Sequence, residues 1–76
     1  MNPGRVVRIL RKARGLSATE VAQRMGITQV ALSYLETGRN SWRSNMIFSA
    51  AHALGVRPFL LLMSDSERRR AMLIFG

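Results

Sequence analysis

Residues 17–36 read SATEVAQRMGITQVALSYLE, and the fold turns on this stretch. Val21, Ala22 and Met25 repeat at helical spacing, Ile27 follows Gly26, and Leu32 and Leu35 resume the spacing beyond it. The pattern predicts two short helices whose inward faces meet at a corner. Gly26 is the corner, because a sharp turn between crossed helices commonly needs a left-handed backbone, which glycine adopts without a Cβ clash. Ser17 and Glu20 make an S-x-x-E capping box, each side chain able to satisfy an orphan amide, so a helix runs from here to about Met25. Thr28 caps the next helix, which runs to about Thr37 and is closed by Gly38.

Upstream, Asn2 as cap and Pro3 at the first helical position start a helix that ends near Arg14, with Gly15 as its stop. Val6, Ile9, Leu10 and Ala13 are its expected inward stripe, and Arg5, Arg8 and Lys12 lie on another face. Downstream, RNSWRS at 39–44 is polar and aperiodic, a loop with Ser44 as the cap of a fourth helix over about Asn45–Leu54. That helix turns Ile47, Ala50, Ala51 and Leu54 inward and stops at Gly55. Pro58 opens a short helix through Phe59–Met63, and after Ser64–Ser66 a last one covers ERRRAMLIF at 67–75. No segment alternates as a strand does, so the fold class is all-α, with five or six helices in one domain.

The 76 residues suffice for one small core, which gives limited stability alone, so self-association is an expectation. Twelve basic residues oppose four acidic ones, a formal charge of +8, and Lys12 is the one lysine. Such an excess favours a polyanion, and the planar fork of arginine suits phosphates and guanine edges. Charge alone does not choose among DNA, RNA and anionic lipid. Without cysteine there is neither disulfide nor thiolate metal site, and with no signal-peptide pattern and no membrane-spanning run the expected setting is cytoplasmic. One histidine, His52, stands without a second ligand at metal spacing, and no nucleophile, base and acid can be assembled. Neither enzyme activity nor a cofactor or metal is expected.

On the third helix, Gln29 pairs with Ser33 and Val30 with Tyr34 at i, i+4, on the side away from Leu32 and Leu35. With Thr28 they make one accessible surface, where glutamine can bond adenine bidentately and valine can touch a thymine methyl. The alternative for Val30 and Tyr34 is packing against the chain's own loop. Residues 5–63 resemble the Cro and lambda-repressor class of helix-turn-helix proteins, the XRE family, at LRKARGLS (10–17), EVAQRMGIT (20–28), LSYLETGR (32–39) and AAHALGV (50–56). The resemblance implies that the third helix enters a DNA major groove with Thr28, Gln29, Val30, Ser33 and Tyr34 as base contacts. It also implies an orienting ion pair between Arg11 and Glu36. Many relatives carry a phosphate-binding glutamine where this chain has Ala18, so that contact is either absent or replaced, with Thr19 as the candidate. Arg39, Asn40, Ser41 and Arg43 are the remaining expected backbone contacts, and Trp42 is expected to pin against its own domain.

Phe59–Met63 and Ala71–Phe75 are apolar on every side. A domain this small cannot hide both, so Phe59, Leu60, Met63, Met72, Leu73, Ile74 and Phe75 are expected at a homodimer interface. The alternative for Met72–Phe75 is that it folds back on its own helices. A two-fold dimer would set two third helices in successive major grooves about 34 Å apart, on a palindromic operator. Arg68, Arg69 and Arg70 read as a solvated face, with contact to the DNA flanks as the alternative. The expected function is a sequence-specific repressor or autoregulator that binds double-stranded DNA. Two other readings stand beside it: an antitoxin-like module for a protein partner, and a basic binder of RNA or membrane surface.

Overall fold

The computed structural model describes residues 3–62 together with Glu67 and Arg70. Five helices follow in order: α1 (Gly4–Ala13), α2 (Ala18–Met25), α3 (Gln29–Glu36), α4 (Ser44–Leu54) and α5 (Phe59–Leu62). Among the described residues there is no strand, and Glu67 and Arg70 are helical as well. The Asn2 cap, the cap residues Ser64–Ser66 and most of the expected 67–75 helix lie outside the described residues.

Local chemistry sets most of the boundaries. The Ser17 hydroxyl accepts from Glu20 N (3.1 Å) and the Glu20 carboxylate accepts from Ser17 N (3.3 Å), which closes the capping box at α2. Gly26, at φ 74°, ends α2 in the left-handed region, and Thr28 then accepts from Ala31 N (3.1 Å) to start α3.

Two boundaries differ from the sequence expectation. Pro3 stands just before α1 as its cap residue, without a side-chain bond, and its carbonyl accepts from Val7 N. Ser44 is the first helical residue of α4, not its cap: Arg43 is still extended (ψ 158°), so the helix begins one residue earlier and carries no side-chain cap.

The core is built from small and branched residues. α2 packs on α3 and α4, and α1 packs on both α3 and α4. Val7, Val21, Leu32 and Leu61 are the largest fully buried side chains, and Ala50, Ala51, Ala53 and Leu54 let α4 approach closely. The inward face of α1 corrects the expected stripe. Val6, Val7 and Leu10 are buried, whereas Ile9 is 56% exposed and Ala13 also faces solvent. The cause is Gly4, whose backbone lies directly against the end of α3. A Cβ there would overlap the Leu35 carbonyl oxygen and come within 2.8 Å of Glu36 O. That approach rolls α1 toward Gly4 and Val7 and leaves Ile9 outside. Arg24, at the end of α2, donates to Ala53 O (3.0 Å) and ties α2 to the end of α4.

Candidate nucleic-acid interface

The surface of interest is the outer face of α3, and its geometry follows from how both ends of the helix are fastened. Leu32 and Leu35 anchor the inner face. At the C-terminal end, Arg11 Nε donates to Glu36 Oε2 (3.0 Å) and Arg11 Nη2 to Glu36 Oε1 (3.2 Å), a forked pair, while Nη1 donates to Leu16 O (3.2 Å). Both side chains are nearly buried, at 11% and 7% exposure. One guanidinium thus joins the end of α1, the approach to α2 and the end of α3. Such a pair adds little net stability over an apolar replacement, but it fixes one relative orientation. Trp42 seals the same end, donating its indole N–H to Leu35 O (3.0 Å) and packing at the core margin.

At the N-terminal end the Thr28 cap is joined by a side-chain contact from the neighbouring helix. Thr19 Oγ1 donates to Gln29 Oε1 (3.0 Å). Thr19, placed by the sequence at the phosphates, therefore directs its hydroxyl proton to the first residue of α3. No local pattern announces this bond, because ten positions separate the partners.

Between these two ends the outer face is open. Thr28, Gln29 and Ser33 are exposed, Val30 is 60% exposed and Tyr34 is 38% exposed. Tyr34 is partly covered: the Arg39 guanidinium carbon lies 5.3 Å from its ring centroid. Beyond α3, Gly38 turns the chain at φ 83°, and Arg39 N (2.8 Å) and Asn40 N (3.1 Å) donate to Tyr34 O. Arg39, Asn40, Ser41 and Arg43 are all exposed on this loop, which leads straight into the uncapped first turn of α4. The sequence reading missed the Thr19 bond, the Arg39 guanidinium over the Tyr34 ring and the lack of a side-chain cap at the start of α4.

Of the expected interface residues, Phe59 is exposed and Leu60 half-buried, while the fully buried Leu61 turns inward beside them. Met63, Met72, Leu73, Ile74 and Phe75 lie outside the described residues, as do Arg68 and Arg69. Arg70 is exposed. Phe48 on α4 is 61% exposed, an apolar side chain that sequence periodicity did not single out. Among the described residues no group of acidic or histidine side chains is arranged to hold a metal, and no helix is long and apolar enough to cross a membrane.

Comparison with known proteins agrees with this geometry. A protein-family model described as a helix-turn-helix domain matches residues 4–61. Among solved structures, the clp gene regulator ClgR from C. glutamicum superposes with a TM-score of 0.77 at 31% identity, covering 80% of this chain and 79% of that one. A search of curated proteins gives no match.

Proposed function

Because the chain belongs to the helix-turn-helix domain family, of the Cro and lambda-repressor type, we propose that it regulates transcription by reading an inverted-repeat operator with α3 in the major groove. One observation carries the reading: an exposed polar and apolar face lies on a helix whose two ends are both fastened to the scaffold. A surface that must match base edges needs that rigidity, since looseness would cost both affinity and discrimination.

In this reading Gln29 bonds the edge of an adenine and Val30 touches a thymine methyl, with Thr28 and Ser33 completing the base-reading face. Thr19 holds Gln29 in register from α2. Arg39, Asn40, Ser41 and Arg43 meet the sugar-phosphate backbone, and the uncapped amides at the start of α4 add an anion-binding end beside Arg43. The functional unit is a homodimer, with residues 64–76 as an extension that joins Phe59, Leu60 and Met63 in pairing, through Met72, Leu73, Ile74 and Phe75. Repression or autoregulation then depends on protein concentration, because pairing and operator binding are coupled.

The test is a pair of substitutions assayed on a selected duplex, its single-base variants and an unrelated duplex. Gln29→Ala should relax preference at one half-site position. Arg43→Ala should weaken all duplexes together and lower the salt dependence by about one phosphate contact. A uniform loss in Gln29→Ala would remove α3 from the base-reading role.

A further inference from the structure

We infer that Tyr34 acts on DNA through Arg39: its ring is a platform that holds the guanidinium for a backbone phosphate, and its hydroxyl reads no base. The inference rests on the DNA-binding reading above and assigns Tyr34 the role of a positioning residue.

Two independent contacts bind Arg39 to Tyr34. The guanidinium lies 5.3 Å from the ring centroid, within the range where the ring's quadrupole attracts a cation. The backbone is fastened to the same residue, because the Tyr34 carbonyl accepts from Arg39 N and from Asn40 N after the turn at Gly38. Arg39 is therefore held at its main chain and at the far end of its side chain, both times by one tyrosine. A free arginine loses side-chain freedom when it meets a phosphate, whereas a stacked one has given up part of that freedom beforehand. The attraction to the ring engages the cation's charge and leaves its N–H groups able to donate to a phosphate. Thr37 stiffens the platform, donating Oγ1–H to Ser33 O (2.8 Å) on the preceding turn.

The assignment separates two roles that Tyr34 could have. A hydroxyl that reads a base is lost in Tyr34→Phe, and the loss falls on one base pair. A ring that positions a cation survives in Tyr34→Phe and is lost in Tyr34→Leu, and the loss falls on every duplex equally.

The experiment measures equilibrium binding of full-length wild type, Tyr34→Phe, Tyr34→Leu, Arg39→Ala and the Tyr34→Leu/Arg39→Ala double variant. Each meets a selected duplex, its single-base variants and an unrelated duplex across a salt series. Tyr34→Phe should bind within about twofold of wild type with unchanged base preference, and Tyr34→Leu should weaken all duplexes by about two- to fivefold. Arg39→Ala should weaken them further and reduce the salt slope by about 0.9. The double variant should match Arg39→Ala alone. In the unbound protein, the Arg39 δ protons should show an upfield ring-current shift in wild type and Tyr34→Phe that is absent in Tyr34→Leu.

A base-specific defect in Tyr34→Phe, or losses that multiply in the double variant, would overturn the inference while leaving the operator reading intact. Wild-type protein that prefers no duplex would instead sink the operator reading. The Tyr34–Arg39 coupling is then still read on the unrelated duplex, because a phosphate contact is independent of sequence.

Discussion

Gln29 opens α3 with its amide oxygen bonded by Thr19, which favours one orientation of the amide. Gln29→Ala is expected to cost about 1–3 kcal/mol on the preferred half-site and almost nothing on unrelated duplex, measured by competition binding. Thr19→Val, which keeps the shape and removes the hydroxyl, should weaken the same base preference in part and leave the melting temperature unchanged. Gly4 gives a prediction of opposite sign to helix propensity. Alanine is intrinsically better than glycine in a helix by about 1 kcal/mol. Here the added methyl would meet the backbone of Leu35 and Glu36, which has no flexible end to move aside. Gly4→Ala should therefore destabilise by about 1–3 kcal/mol in a urea melt, and a gain in stability would contradict the close approach of α1 to α3. The exposure of Gln29 and Val30 was legible from their positions opposite Leu32 and Leu35. The Thr19 bond and the Gly4 contact were not, because both join residues far apart in the chain and no spacing rule reaches across helices.

α3 is the element on which the whole reading depends, and its ends explain why it is presented rigidly. Removing the cap, Thr28→Ala, should cost about 1 kcal/mol of stability. Arg11→Met removes more, since it strands the nearly buried Glu36 carboxylate, and a loss on the order of 3 kcal/mol is expected by chemical denaturation. The double change Arg11→Met/Glu36→Leu should recover most of that stability, yet bind the selected duplex more weakly than wild type because the orienting fork is gone. Helix ends governed by local chemistry were legible: Ser17 with Glu20, Gly26, Thr28 and Gly55 all stand where their types require. The rotation of α1 was not, because Val6, Val7 and Leu10 make as good a helical stripe as Val6, Ile9 and Leu10, and the contact with α3 decides between them. Ser44 misled for a related reason. Its side chain can cap, but the extended loop ends at Arg43, and Ser44 is already inside the helix.

At the scale of the molecule, a small core of valine, leucine and alanine backs the inner face of α3, with apolar Phe59 and Leu62 left at the surface of α5. Exposed side chains of this kind are expected to pair with a second copy. Phe59→Asp and Leu73→Asp should each halve the mass seen in sedimentation at micromolar concentration and weaken operator binding in step. An unchanged mass would return these residues to the monomer. The family was legible in the sequence because its signature is a set of local turns and caps at fixed distances, from Ser17 through Gly26 and Thr28 to Gly55. The operator was not, since it depends on how side chains meet another molecule. Selection of binding sites from a pool of random duplexes therefore tests the central claim most directly. The account predicts enrichment of an inverted repeat with half-site centres about one helical turn apart. A pool that stays random through successive rounds would contradict it.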